Sequence, residues 1–367
     1  MLHTKNLDLS VEKIAVYTLL VFLMGLGTPE WSRGQQSVDT DKVITRIAFG
    51  SCAVQDQPQP IWESVNSWKP QLFLFLGDNI YGDTENMDTL RHKYGLLADK
   101  PGFQKLRKQS AVLATWDDHD YGENDAGKEY PEKEASEEIF MDFWDVSEES
   151  PVRERPGVYS AQVYGPPGKR VQIILLDTRY FRDSLETRAL NPVQRKLGYG
   201  PYAATTDSSR TMLGAQQWQW LEKQLEKPAD LRLIGSSIQV VSAEHGWEVW
   251  GNMPHEKQRL FDLIDETGAS GVVFLSGDVH WGELSRYDGN DYPLYDFTSS
   301  GINQGYTEVL YLPNQQRVGP IVYPYPNFGT IEIDWSSESP RVKMMLRDIN
   351  GKPVLKRSLS LNQLKAR

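Results

Sequence analysis

Residues 72–83 read LFLFLGDNIYGD. Five apolar residues in a row stop at a glycine and an aspartate. A run this short and this uniformly apolar suits a strand covered on both faces, as parallel strands are. The pattern recurs in ITRIAFGSC (44–52), AVLATWDD (111–118), VQIILLDTR (171–179), LRLIGSS (231–237) and GVVFLSGDVH (271–280). Helical patterns lie between the runs. QPIWESVNSW (59–68) is closed by Pro70, and GAQQWQWLEKQLEK (214–227) sets Trp218, Leu221 and Leu225 on one face before Pro228. PHEKQRLFDLIDETG (254–268) opens on proline and ends on glycine, the favoured polarity of a helix. Near the end, GTIEIDW (329–335), RVKMMLRDI (341–349) and PVLKRSLSL (353–361) alternate apolar and polar residues, with a turn at NGK (350–352). The chain reads as α/β, with helices over largely parallel strands and an antiparallel ending that completes the same fold.

Ligands of open α/β sheets bind beyond the carboxyl ends of the strands. Those exits carry Cys52, then Asp78 and Tyr81, then Asp117, Asp118 and His119, followed by Asn124 and Asp125. Asp177 and Arg179 come next, and Asp278 and His280 last. A lone aspartate after a strand is usually a cap or a turn. Capping requires neither a cysteine, nor a tyrosine three residues after an aspartate, nor a D-x-H. Cys52 is the only cysteine, so it closes no internal disulfide; it is either a packed apolar thiol or a metal ligand. Two metals fit the donors, with Asp78 as a carboxylate able to bridge cations roughly 3.5–4 Å apart. Cys52, Tyr81 and His280 add sulfur, phenolate and imidazole, a mixture suited to a transition metal. Asp78, Asp118, Asn124 and Asp278 form an oxygen-rich set suited to a harder ion. In an extended GDVH, residues 278 and 280 point to one side and share the site.

The formal charge of -11, with no basic run, argues against a nucleic-acid-binding surface. Residues 14–27, IAVYTLLVFLMGLG, follow Lys5 and Lys13 and suit either a signal peptide, spanning 1–27, or an uncleaved membrane anchor. Both imply export, with membrane contact only through that segment. Residues 28–42 read as a linker, and 43–367 as one domain. Trp247, Trp250 and Trp281 suggest a wall for an apolar or ring-bearing group, with Trp250 binding substrate. His245 and His92 read as surface residues and His255 as structural, while the acidic run Glu132–Glu138 reads as a solvated helix face.

FGSC, LGDNIYGD, TWDDHDYGEND, LLDTRYFRD, WGNMPHEKQRL and SGDVHWGE, in that order, resemble the PhoD-like (alkaline phosphatase D) branch of the calcineurin-like metallophosphatase superfamily. The resemblance covers about residues 44–300. It implies a two-sheet β-sandwich flanked by helices, four layers in the order αββα. It implies hydrolysis of small-molecule or lipid phosphate mono- or diesters by a metal-bound hydroxide, outside the cytoplasm. By the same resemblance Cys52, Asp78, Tyr81 and His280 hold Fe3+, and Asp78, Asn124 and Asp278 hold Ca2+, with Zn2+ or Mn2+ as substitutes. Arg179 matches an arginine that contacts phosphate. DDHD stands where the superfamily has G-N-H-E, which puts His119 in the acid–base position. The segment 126–170 is longer than the resemblance leads one to expect and is a candidate cover for the site. The alternative on the same scaffold is a non-catalytic metal-binding module at the cell surface.

Overall fold

The computed structural model describes residues 39–366. The segment assigned to export and the first part of the linker lie outside the described residues. In chain order the strands begin with β1 (Arg46–Gly50), β2 (Leu72–Leu76), β3 (Ala111–Thr115), β4 (Ser160–Tyr164) and β5 (Val171–Leu175). Two short strands follow, β6 (Glu186–Thr187) and β7 (Tyr202–Ala203), then β8 (Leu231–Ser236), β9 (Val272–Ser276) and β10 (Gly282–Tyr287). The last four are β11 (Leu294–Ser299), β12 (Asn327–Asp334), β13 (Arg341–Asp348) and β14 (Pro353–Ser360). The helices are α1 (Ile61–Trp68), α2 (Met87–Ala98), α3 (Pro101–Gln109) and α4 (Asp118–Tyr121). They continue with α5 (Lys133–Phe143), α6 (Pro192–Lys196), α7 (Gly214–Leu225) and α8 (Pro254–Glu266).

Two six-stranded sheets carry the fold, in the orders β14-β13-β12-β1-β2-β3 and β10-β11-β9-β8-β5-β4. Both are mixed. β1, β2 and β3 run parallel in the first, and β11, β9, β8 and β5 run parallel in the second. The flanking strands β12, β13, β14, β10 and β4 are antiparallel. The expectation of largely parallel strands therefore holds for the four interior strands of the second sheet and for one half of the first, whose other half is the antiparallel C-terminal trio β12, β13 and β14.

Strand periodicity explains the layers. Leu72, Leu74 and Leu76 of β2 join Leu233, Val273, Leu275 and Phe297 in the core between the sheets. Phe73 and Phe75, one residue out of step, face α1, α3 and α5 and pack with Trp62, Phe103 and Phe143. Trp218, Leu221 and Leu225 of α7 and Leu260 and Ile264 of α8 cover the second sheet from outside. The result is four layers, αββα, in which β2 is apolar throughout because both its faces are covered. No helix among the described residues is long and apolar enough to cross a membrane.

The acidic run 132–138 departs from its reading. Ser136 and Glu137 are buried as α5 packs against α2, and burial pushes the Glu137 carboxyl up to about 7. The segment 126–170 supplies this helix and the edge strand β4, and contributes no residue to the lining of the cavity described below.

Candidate metal centre

The seven parallel strands all end on one side of the sandwich, and each delivers a polar group there. Cys52 follows β1, Asp78 follows β2, Asp117 follows β3, Asp177 follows β5, Ser237 follows β8, Asp278 follows β9 and Ser300 follows β11. Glycine allows the close approach. A Cβ on Gly77 would sit 2.4 Å from Asp117 Cβ, and Gly77 has φ +93°. A Cβ on Gly277 would sit 2.4 Å from Ser51 Oγ. The G-D pairs seen in the sequence are thus the condition for neighbouring strand tips to touch.

Four of the predicted ligands meet at once. Cys52 Sγ lies 3.3 Å from Asp78 Oδ2 and 3.0 Å from Ser300 Oγ. Tyr81 Oη lies 3.4 Å from Asp78 Oδ2 and 3.1 Å from His280 Nε2. Ser300 Oγ also accepts the His280 backbone N–H at 2.7 Å, so one hydroxyl fixes both sulfur and imidazole. A second group joins Asp78 with Asp117, Asp118 and Asp278, with one carboxylate oxygen of each within 4.8 Å of the others. An imidazole nitrogen of His119 lies equally near Asp78 and Asp118. Asp78 is common to all three groups. Asn124 lines the same cavity from an exposed position.

The backbone at these tips is strained. Cys52 (φ 61°), Asp78 (φ 48°), Asp278 (φ 67°) and His280 (φ 63°) are all left-handed, as is Asp125 (φ 58°). Non-glycine residues held this way cost roughly 1–3 kcal/mol each and collect where a site over-determines them. This revises the reading of GDVH. The segment is not extended; a tight turn, with Val279 N–H donating to Gly277 O at 2.9 Å, brings Asp278 and His280 into the site. They serve different groups of it, His280 beside Cys52 and Asp278 beside Asp117 and Asp118.

The electrostatics show what the cluster lacks. Burial, then the neighbouring Cys52, pushes the Asp78 carboxyl well above its usual range. Burial, then Asp117 and Glu248, does the same to Asp278. Burial pushes Cys52 up to about 12 and His280 down to about 4. Burial opposes ionisation of Asp118 too, but Arg179 and His119 outweigh it and hold that carboxyl well below its usual range. The His119 ring packs at a tilt against Tyr81, 4.2 Å between centroids, and bonds Asp83 Oδ1 through Nδ1 at 2.7 Å; despite burial, Asp78 and Asp118 raise it to about 11. Asp78 Oδ1, Asp117 Oδ2 and Asp118 Oδ1 are buried without a protein donor. Packed carboxylate oxygens that no N–H or O–H satisfies, beside a thiol, a phenol and an imidazole, fit bound cations. The Cys52, Asp78, Tyr81 and His280 donors suit a transition-metal ion, and the oxygen group an ion that prefers oxygen donors alone.

Two predicted substrate contacts fall elsewhere. Arg179 is fully buried and its guanidinium is fully engaged: Nε with Asp117 Oδ1, Nη1 and Nη2 with Glu248 at 2.9 and 2.7 Å. It also lies 3.7 Å from Asp118 Oδ1, and it does not line the cavity. The arginine holds the carboxylates in place instead of presenting a clamp to phosphate. Trp250 is also fully buried, packed edge-on against Trp218 and donating Nε1–H to Ser236 Oγ at 3.0 Å. It is a core residue because its helical turn faces α7, whereas Trp247 and Trp281 line the cavity. Trp250→Phe is expected to lower stability by about 1–2 kcal/mol through the lost hydrogen bond and ring volume, while leaving KM unchanged. Urea denaturation with parallel kinetics checks this.

Other residues were missed. Asp120 Oδ1 accepts the backbone N–H groups of Asp78 and Asp117 at 3.1 and 2.8 Å, tying the tips of β2 and β3 together. Asp177, one of the strand-exit acids, accepts from the backbone of Val158, Arg179 and Tyr180 and acts as a turn brace. Glu248 has one legible signal, an acid inside the aromatic run HGWEVW (245–250). His245 is buried, not on the surface; its Nε2 lies 2.9 Å from Gln239 Oε1, and burial lowers it to about 4. His255 bonds Arg210 O through Nε2, a structural role, and His92 is exposed on α2.

A cavity of about 230 Å³ opens on the cluster, lined by Asp118, His119, Asp278 and His280 on the polar part and by Trp247, Trp281 and Tyr306 on the aromatic part. Comparison with known proteins is consistent with this arrangement. Alkaline phosphatase D of Bacillus subtilis (strain 168) is 27% identical over 186 residues, 46% of this chain and 30% of the relative. The chain thus aligns with under a third of that protein's length. A solved structure of PhoD superposes with a TM-score of 0.67 at 17% identity, covering 91% of this chain and 73% of the other. A dimetal phosphatase from Danio rerio gives a TM-score of 0.53 at 13% identity, covering 89% of this chain and 100% of the other. The anchor in the inner membrane complex of Plasmodium gives 0.56 at 12%, covering 89% and 90%. At these identities the superpositions speak for the fold alone. The model of the PhoD-like phosphatase family, however, matches residues 47–318, most of the chain, and the protein belongs to that family.

Proposed function

We propose that the protein is a metal-dependent phosphoric ester hydrolase working at a dinuclear site. One observation carries the reading: Asp78 stands in both the thiol–imidazole group and the all-carboxylate group, where a bridging ligand would be. The name of the curated relative and the fold shared with a dimetal phosphatase support it. Bound metals would lower the pKa of water to about 7 and neutralise charge on the phosphoryl oxygens.

The chain's own residues set the geometry of that chemistry. Asp120 and Ser300 fix the strand tips and so the donor positions. Arg179 keeps Asp117 and Glu248 aligned from behind. His119 lines the cavity with Nδ1 anchored on Asp83, which suits it to hold a proton for the departing alkoxide. The apolar run 14–27 supports an exported site of action on small-molecule or lipid phosphate esters.

We assign the Cys52, Asp78, Tyr81 and His280 group to Fe3+ and the oxygen group to Ca2+, from donor chemistry. Protein loaded with iron and calcium is expected to show a visible charge-transfer absorption that Tyr81→Phe weakens or shifts. It should release p-nitrophenol from p-nitrophenyl phosphate or its bis ester, and chelation should abolish release and lower the melting temperature. Metal-loaded protein inactive on both esters would favour the non-catalytic module.

A further inference from the structure

The metal-ligand cluster shares its cavity with an aromatic recess that hydrolysis at the phosphorus leaves without a role. Val279 and Trp281 pack into one small apolar cluster with Trp247 and Tyr306, and all four line the cavity. Trp281 is only 2% exposed, and its Nε1–H has no acceptor in the protein. Next to these rings the lining is acidic. Asp125 and Glu248 both contribute, and their carboxylates lie within 4.8 Å of each other and of Asp118. Neither lysine nor arginine is among the described residues lining the cavity. The nearby guanidiniums of Arg179 and Arg182 are buried and bonded to Glu248.

We propose that this recess is the leaving-group subsite and that it selects the alcohol by charge. It takes a compact planar or apolar alcohol, uncharged or cationic. It rejects alcohols that carry a further phosphate or carboxylate. The proposal rests on the hydrolase reading for the phosphoryl position, but its argument comes from the recess walls.

Charge decides. Among the described residues, Asp78, Asp117, Asp118, Asp125, Asp278 and Glu248 surround the site; Arg179 and Arg182 are paired with Glu248, His119 is bonded to Asp83, and Arg188 lies against the Tyr199 ring without lining the cavity. Bound ions would offset that excess and meet the phosphoryl group, which leaves no lysine or arginine in the cavity lining for a second anion beside Asp125. Ring faces, by contrast, attract a cation and stack a planar group. Size agrees. The cavity of about 230 Å³ falls below the roughly 300–1,000 Å³ of pockets for drug-sized ligands and suits a phosphoryl group with one ring.

The test is calorimetric titration of the metal-loaded protein with two non-hydrolysable benzylphosphonates, one bearing a para aminomethyl group and one a para carboxylate. Phosphate release from phenyl phosphate and p-nitrophenol release from bis(p-nitrophenyl) phosphate are followed in parallel. The aminomethyl ligand is expected to bind about tenfold tighter or more. Trp247→Ala should weaken both ligands, and Asp125→Asn should narrow the preference several-fold. Equal affinities, a carboxylate preference, or no binding of either ligand would overturn the subsite. Binding with the expected preference but no phosphate release from phenyl phosphate and no p-nitrophenol release from bis(p-nitrophenyl) phosphate would overturn the hydrolase reading and leave the recess standing as a charge-selective binding site.

Discussion

Asp78→Asn is expected to lower kcat/KM on an aryl phosphate by at least about 10²-fold, the upper end of the loss on altering a group one step removed from a metal. The variant keeps the size and shape of the side chain but not the charge that two cations would share. Elemental analysis should show loss of metal from both groups at once, because Asp78 belongs to both. Asp278→Asn, whose side chain belongs only to the carboxylate group, should spare the thiol–imidazole metal. Unfolding does not explain the loss. Burial and Cys52 already push the Asp78 carboxyl well above its usual range, so the metal-free fold disfavours this charge. Removing it should therefore leave the melting temperature of metal-free protein unchanged or higher. Full activity with full metal content in Asp78→Asn would refute the bridging role.

Arg179→Met is expected to destabilise the protein by about 3–5 kcal/mol, the range for breaking a buried ion pair from one side. The guanidinium sits among Asp117, Glu248 and Asp118, all at most 2% exposed. Its loss leaves Asp117 and Asp118 without their guanidinium next to a cluster already short of positive charge, and leaves Glu248 with Arg182 alone. Arg179→Lys should recover only part of the stability, since a single ammonium cannot serve Asp117 through Nε and Glu248 through both terminal nitrogens. Adding Asp117→Asn to Arg179→Met should restore some of the loss by removing a buried charge that has no other ion-pair partner among the described residues. Chemical denaturation of the single and double variants measures each difference. A variant of unchanged stability but raised KM would return Arg179 to the phosphate contact that the sequence suggested.

Arg179 and Trp250 show why sequence reading failed where it did. Both sit among functional residues in the chain, Arg179 two residues after a strand-exit acid and Trp250 three after a cavity residue. Which way such a side chain turns depends on what else packs there. Glu248 arrives from a loop 69 residues away and satisfies Arg179, and Trp218 of α7 receives Trp250. Neither partner announces itself locally. Asp120 was missed for the opposite reason: its task is bonding backbone N–H groups, and any short acid in a turn looks the same.

Runs such as LFLFLGD needed no partner to be read. Uniform apolarity over five residues means two covered faces, and a glycine–aspartate stop means a tight tip, so the strands, their burial on both faces and the donor types were legible locally, while the two-sheet layering came from the family resemblance. The assembly of those donors was not. Cys52 and Ser300, 248 residues apart, meet only because β1 and β11 belong to sheets packed face to face. Left-handed turns at Cys52, Asp78, Asp278 and His280 then aim the side chains, and such backbone angles are set by tertiary contacts that outweigh local preference.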